Sequence, residues 1–224
     1  MKVYGHPLSS CTRKVLATLA EKGVEAAFVK VDLFLGEHKA SAHMARHPFG
    51  VVPVLDDEGF VLYESRAILR YLEARFPEPP LVPRAVRDVA RMDQWLSVDQ
   101  SYVAPHTRAL AIERIVKKRE GLAPDASAER AAEGALGAAL AVYDRALAGG
   151  ASPGGASSDS GASRASTYLV GQDLTLADLS LAPYVASLSL VGAEHLLTGL
   201  PHLRSWWGRV RERPSWRAAT SIPT

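Results

Sequence analysis

The chain has 224 residues and a mass of 24.1 kDa, enough for two modest domains or one large one. Its 26 Lys and Arg residues against 24 Asp and Glu residues leave a net charge of +2, too small to indicate a nucleic-acid or membrane partner. A single cysteine, Cys11, excludes an intrachain disulfide. The sequence opens on a strand-like segment and contains no run of about 18 apolar residues. We therefore expect a cytoplasmic protein.

Residues 1–76 alternate between strand and helix patterns. The predicted elements are a strand at 2–4, a helix at about 10–22, a strand at 26–31, a short helix near 38–45, strands at 53–56 and 60–63, and a helix at 64–75. Asp56-Asp57-Glu58-Gly59 supplies the turn between the last two strands. The order βαβ and then ββα predicts a thioredoxin-like α/β domain with a mixed four-stranded sheet.

The proline-rich residues 77–83 form a predicted linker. Beyond it, apolar residues recur at helical spacing from 84 onward, and 131–147 is an alanine-rich helix pattern. We therefore predict an all-α domain over 84–224. Residues 149–166 contain only small and polar residues, with one arginine, and are predicted to be a disordered insertion.

A helix start after this insertion is marked by Thr175 as the N-cap and Asp178 three residues later. Leu174 and Leu179 are placed to pack across it. We assign Asp178 to folding and not to chemistry.

The segment Val51-Val52-Pro53-Val54-Leu55 combines β-branched residues with a proline. Such a proline belongs on a sheet edge or in a cis turn, which leaves the backbone groups of Val52 free to pair with a ligand. Ser65 lies where a helix should start, so its hydroxyl and nearby N–H groups can receive a carboxylate. Together these features predict an edge that binds a peptide, with a carboxylate pocket beside it.

The first 13 residues predict a strand, a turn and a helix start rich in hydroxyls. With Gly36-Glu37-His38-Lys39, the run His47–Pro53, and Glu64-Ser65-Arg66-Ala67-Ile68, the chain resembles the glutathione transferases, and the phi class most closely. The resemblance covers nearly the whole chain and is most specific in the first 70 residues. It implies glutathione as a co-substrate with no other cofactor and no metal. It also implies transfer of glutathione to a small hydrophobic electrophile, and the same thiolate would also reduce organic hydroperoxides.

The resemblance implies that three groups of residues bind glutathione. Glu64 and Ser65 would hold the γ-glutamyl end, with Ser65 acting through its hydroxyl and backbone N–H. Val52, before Pro53, would pair its backbone with the cysteinyl unit. His38 and Lys39 would bind the glycyl carboxylate. Phi-class members commonly have glutamine where this chain has Val51, so we expect one side-chain contact fewer and a lower affinity for glutathione.

The same alignment places the catalytic serine at Ser9, which would donate a hydrogen bond to the glutathione sulfur and favour the thiolate. Ser10 and Thr12 are competing hydroxyls, and Ser9 as a simple helix cap is the structural alternative. Cys11 supports a rival thiol-transferase mechanism, although its position two residues beyond the matching slot predicts that it points into the buried face of the helix.

The second substrate and the dimer are assigned with less specific motifs. Candidate residues for the electrophile-binding wall are Leu8, Phe34, Leu35, Tyr102 and His106. Phe49 lies where many of these proteins place an aromatic residue that enters a second subunit, so we expect a homodimer. A non-catalytic carrier of hydrophobic ligands, which would not need Ser9, remains the alternative to an enzyme.

Overall fold

The structure, a computed structural model, describes residues 1–149 and 166–222. The chain divides into two compact units: Met1–Val82 together with the chain from Arg211 onward, and Pro83–Val210. The predicted insertion at 149–166 therefore lies outside the described residues except at its two ends.

The first unit contains the four strands and the helices that pack on them. Its elements are β1 (Lys2–Gly5), α1 (Ser10–Glu21), β2 (Ala27–Lys30), a 3₁₀ turn (Glu37–Lys39), α2 (Ser41–Met44), β3 (Val54–Asp57), β4 (Phe60–Tyr63), α3 (Ser65–Arg75) and the last helix, Pro214–Thr220. The predicted helix near 38–45 is interrupted because Ala40 has an extended backbone between the 3₁₀ turn and α2.

The sheet has the order β2-β1-β3-β4, in which β1 pairs with β2 in parallel and with β3 antiparallel, and β3 pairs antiparallel with β4. The β3–β4 turn forms as the sequence predicted, with the Gly59 N–H donating to the Asp56 carboxylate at 2.9 Å. The predicted mixed sheet of a thioredoxin-like domain is confirmed. It places the end of β1 beside the start of β3, where the site residues lie.

The end of β1 approaches the first turn of α1 very closely. A Cβ atom added at Gly5 would lie 2.4 Å from Cγ2 of Thr12, which is itself fully buried. Only glycine fits at this position without displacing the buried Thr12 side chain. The glycine therefore allows the first turn of α1 to lie close to the end of β1.

The last helix belongs to the first unit, whereas the sequence pattern predicts one helical domain over 84–224. Arg213 and Ser215 both donate to the carboxylate of Glu21 on α1, with Arg213 Nε at 2.5 Å and Nη2 at 2.8 Å. Contacts between the C-terminal helix and α1 therefore group the chain end with the sheet.

The described residues of the second unit form helices and turns, which confirms the all-helical architecture. They comprise α4 (Val86–Val98), a π-helical segment (Asp99–Val103), α5 (Ala104–Ala111), a second π-helical segment (Ile112–Val116), α6 (Lys117–Arg119), α7 (Ala126–Leu147), α8 (Leu176–Leu190), a 3₁₀ turn (Glu194–Leu197) and α9 (Pro201–Arg211). None of the helices described is long and apolar enough to cross a membrane.

The capping-box residues predicted at α8 are present, and Asp178 also contacts residues beyond the helix start. The fully buried carboxylate of Asp178 accepts from the backbone N–H of Thr175 at 2.9 Å and from its hydroxyl at 2.8 Å. It also accepts from the Leu169 N–H at 2.9 Å and from Nε1 of Trp206 at 2.8 Å. Burial raises the pKa of Asp178, and the donated hydrogen bonds oppose that shift. Asp178 thus organises the core of the second unit.

Candidate functional site

Ser9 is the N-cap of α1 and has an extended backbone (φ −71°, ψ 121°). Its Oγ accepts a hydrogen bond from the Thr12 N–H at 3.3 Å. A hydroxyl that accepts in a cap still has its own hydrogen to donate, so capping and donation to a ligand are compatible. Ser9 is only half-buried, which leaves this hydrogen accessible.

Thr12 is one of the two hydroxyls that compete with Ser9 as donor to the glutathione sulfur, and its burial argues against that role. It is fully buried, and its Oγ1 accepts from the backbone N–H of His6 at 3.3 Å. Ser10 is half-buried, like Ser9, at the first position of α1. The choice of an accessible hydroxyl at this helix start is therefore between Ser9 and Ser10.

His6 holds the loop that carries Ser9, a role that the sequence did not indicate. The Ser9 N–H donates to the His6 carbonyl at 2.9 Å, and the Leu8 N–H donates to Nδ1 of the His6 ring at 3.2 Å. Arg13 Nε donates to the Pro7 carbonyl at 2.7 Å from the first turns of α1. Burial lowers the pKa of His6, which keeps Nδ1 available as an acceptor at neutral pH. The loop before Ser9 is thus held from both sides.

Val52 lies in the turn that precedes β3, and the Val52–Pro53 peptide bond is cis. Within the described residues, neither its backbone N–H nor its C=O makes a hydrogen bond. The preceding carbonyl, that of Val51, accepts from Nε2 of His43 at 2.8 Å. Val52 therefore offers an unpaired donor and acceptor, as one rung of a β-ladder would require.

The start of α3 offers unpaired backbone donors. Its N-cap, Glu64, has a positive φ (φ 70°, ψ 106°) and makes no side-chain cap bond. The first helical bond runs from the Ile68 N–H to the Glu64 carbonyl at 3.0 Å, so the N–H groups of Ser65 and Ala67 lack protein partners in the described chain. A positive φ at a residue other than glycine costs about 1–3 kcal/mol and is found mainly at functional sites. This helix end is suited to bind a carboxylate.

His38 and Lys39 lie on the 3₁₀ turn that precedes α2. Lys39 is exposed, and its Nζ donates to the Phe49 carbonyl at 3.0 Å, leaving two of its three hydrogens for a ligand. Burial, and then the charge of Lys39, lowers the pKa of His38. At neutral pH Lys39 therefore supplies the positive charge of this pair, and His38 contributes a neutral imidazole.

Cys11 is half-buried in the first turn of α1. The residues three, four and seven positions later, Lys14, Val15 and Thr18, share its side of the helix and are fully buried. That Cys11 points into the buried face of the helix stays a prediction.

The predicted electrophile wall has members in both units. In the first unit, His6 brings two of them together: the Leu8 N–H donates to its ring, and the ring of Phe34 packs edge-on against it with centroids 5.5 Å apart. Leu35, next to Phe34, is 76 % exposed. In the second unit, Tyr102 is 60 % exposed on the first π-helical segment, and His106 is half-buried on α5.

Phe49, the predicted dimer residue, is 69 % exposed. Its ring lies edge-on to His47 at 6.2 Å and to Tyr63 at 6.4 Å, centroid to centroid.

In the described residues, no cluster of histidine, cysteine and carboxylate side chains is arranged to hold a metal ion.

Comparison with known proteins agrees with this architecture over nearly the whole chain. The family model "Glutathione S-transferase, N-terminal domain" matches residues 1–74, and "Glutathione S-transferase, C-terminal domain" matches residues 115–218. The chain belongs to the glutathione S-transferase family. Its membership confirms the predicted enzyme class, a glutathione transferase.

Individual relatives point to the predicted class. The chain is 35 % identical over 212 residues to glutathione S-transferase PM239X14 of Arabidopsis thaliana, covering 92 % of this chain and 89 % of that one. The crystal structure of glutathione transferase F7 from Populus trichocarpa superposes with a TM-score of 0.83 at 29 % identity, covering 99 % of both chains. A glutathione S-transferase I bound to lactoylglutathione superposes with a TM-score of 0.82 at 26 % identity, covering 98 % of both. The resemblance to the phi class is confirmed.

Proposed function

We propose that this glutathione transferase binds glutathione along the first unit, activates it as a thiolate through Ser9, and transfers it to hydrophobic electrophiles. The observation that carries the proposal is the unpaired backbone of Val52, beside the uncapped start of α3. A flexible tripeptide with a carboxylate at each end needs such a backbone rung and two anion sites. No further cofactor and no metal take part in the proposed reaction.

Each end of the tripeptide has a binding site of complementary charge or hydrogen-bonding character. The γ-glutamyl carboxylate binds the hydroxyl and N–H of Ser65, while the exposed carboxylate of Glu64 meets the α-amino group. The glycyl carboxylate binds His38 and the free hydrogens of Lys39. Val52 pairs with the cysteinyl unit between them.

The glutathione thiol releases its proton to solvent, and a hydrogen bond stabilises the thiolate without a general base. The Ser9 hydroxyl donates to the sulfur, and the positive end of the α1 dipole adds to the same field. The thiolate then forms a bond to an electrophilic carbon, and the leaving group departs with its electron pair. With an organic hydroperoxide, the thiolate attacks the distal oxygen, the O–O bond breaks, and the alkoxide leaves and takes up a proton to become the alcohol. A second glutathione thiol then attacks the sulfur of the resulting sulfenic acid, which gives the disulfide and water.

The expected assembly is a homodimer in which Phe49 enters the partner subunit. Its 69 % exposure on the unit that carries the glutathione site supports this assignment.

The test is the rate of glutathione conjugation to a chlorinated nitroaromatic, with glutathione binding measured in parallel. We expect Ser9→Ala to lose most of the rate while it still binds glutathione, and Cys11→Ala to retain the rate. A wild type that binds glutathione but is inactive would instead indicate a carrier. Loss of activity in Cys11→Ala alone would indicate thiol-transferase chemistry.

A further inference from the structure

His43 lies on the four-residue helix α2 and is not among the residues that the sequence motifs assign to glutathione. It is 4 % exposed, and its Nε2 lies 2.8 Å from the carbonyl oxygen of Val51. Because a carbonyl oxygen can only accept, Nε2 carries the hydrogen. The other ring nitrogen, Nδ1, is buried and has no partner within the described residues. The bond to Val51 is therefore the ring's one polar contact in the described chain.

The carbonyl of Val51 and the N–H of Val52 belong to one peptide unit, and the two groups of a planar trans peptide point in opposite directions. A bond that holds the carbonyl on one side therefore aims the N–H toward the other side. The Val52 N–H makes no hydrogen bond to the described residues, so no hydrogen bond of its own fixes its direction there.

The His43 ring is itself held in place by aromatic packing. It stacks on His47 at 6.4 Å with planes 20° apart, and His47 in turn packs against Tyr63 at 4.6 Å. The backbone N–H of His47 also donates to the His43 carbonyl at 2.9 Å. A donor fixed in this way can orient a turn that has few hydrogen bonds of its own.

We propose that His43 is a positioning residue that orients the Val51–Val52 peptide unit, so that the Val52 N–H donates to the cysteinyl carbonyl of glutathione. The inference rests on the proposed function, in which Val52 pairs with the cysteinyl unit. His43 touches neither the ligand nor the reacting atoms. It acts on binding, so its loss weakens glutathione binding and leaves the activation of the thiol intact.

The experiment compares three variants of the full chain. His43→Phe keeps the ring and removes the donor, whereas His43→Gln places an amide donor at a similar reach. His47→Phe is the matched control, because it makes the same substitution in the same ring cluster without touching Val51. We expect His43→Phe to raise the Kd of glutathione roughly two- to tenfold, with kcat at saturating glutathione unchanged. His43→Gln should recover most of the affinity, and His47→Phe should retain it.

A second ligand separates positioning from a general loss of packing. The probe is a glutathione analogue in which a trans alkene replaces the cysteinyl–glycyl amide, which removes the carbonyl that Val52 would bind. Wild type should bind glutathione several-fold more tightly than the alkene, and His43→Phe should lose most of that preference. His43→Leu repeats the loss of the donor if the Phe variant does not fold.

The outcomes distinguish the inference from the function on which it rests. A wild type that does not bind glutathione overturns the proposed function. A wild type that binds glutathione and the alkene equally overturns the Val52 pairing. Two outcomes, in a wild type that prefers glutathione over the alkene, would show that the positioning role of His43 is wrong. In one, His43→Phe and His43→Leu keep the whole preference. In the other, His47→Phe loses as much of the preference as they do.

Discussion

Replacing Ser9 with alanine should remove two separable contributions, one to folding and one to chemistry. The folding contribution is the cap: Ser9 Oγ accepts from the Thr12 N–H at 3.3 Å, which is long for such a bond. We therefore expect a cost at the lower end of the range for caps, about 0.5–1 kcal/mol of unfolding free energy. Against a typical total of about 5–15 kcal/mol, the variant stays folded and its kinetics can be interpreted.

The chemical contribution is the hydrogen bond to the thiolate. A hydrogen bond to a charged group contributes about 1.5–3 kcal/mol, and 1.36 kcal/mol corresponds to about one pKa unit. Ser9→Ala should therefore raise the pKa of the bound glutathione thiol by about one to two units. The conjugation rate should fall by about 10- to 100-fold near pH 6.5, where the thiolate is then scarce, and much less above the new pKa.

The assay is a pH titration of the thiolate absorbance of bound glutathione, paired with a pH–rate profile and urea unfolding. Ser9→Thr keeps the hydroxyl and should titrate close to wild type. Ser10→Ala removes the other accessible hydroxyl and should leave the thiol pKa unmoved. The reasoning is refuted if Ser9→Ala leaves the titration in place, if Ser10→Ala shifts it equally, or if the rate falls by the same factor at every pH.

Two further predictions concern stability. Asp178→Ala should lower the free energy of unfolding by about 3–5 kcal/mol, because several buried donors lose their acceptor. Urea unfolding measures this loss. The control, Asp173→Ala at an exposed position, should show almost no change. Glu21→Gln should cost about 2 kcal/mol at pH 7 by breaking a largely buried pair with Arg213. Burial opposes ionisation of Glu21, but the bonds from Arg213 and Ser215 outweigh it and lower its pKa. The stability gained is therefore present above pH 4.5 and is lost as the pH falls through the lower folded pKa. The unfolding free energies of wild type and Glu21→Gln should converge in acid. Glu25→Gln, at an exposed position, is the control. A difference between wild type and Glu21→Gln that persists in acid, or an equal difference for Glu25→Gln, would contradict the ion-pair assignment.

The strands and the site backbone could be predicted because their signals are local. The sheet follows from alternating patterns and the Asp56–Gly59 turn, and a proline in a β-branched run marks the turn before β3. Ser65 follows from its place before an apolar helix pattern. In each case the residues that define the feature lie within a few positions of one another.

Features that depend on distant contacts were missed. The regular pattern of α4 gives way to a π-helical segment at Asp99, which is buried and bonded to Ser180, 81 residues further on. The last helix leaves the helical unit because Glu21 lies near Arg213, 192 residues away in sequence. Periodicity cannot report either contact.

The missed histidines show where a sequence signal did exist. His6 and His43 each sit in or near a motif, and each bonds the backbone of a loop that carries an assigned site residue: His6 at Leu8 before Ser9, and His43 at Val51 before Val52. A turn that presents unpaired backbone groups to a ligand has few bonds of its own, so something outside it must define its direction. A buried imidazole can do this with one nitrogen. Histidines near such turns are therefore candidates for positioning residues, and the His43 variants test that rule in this chain.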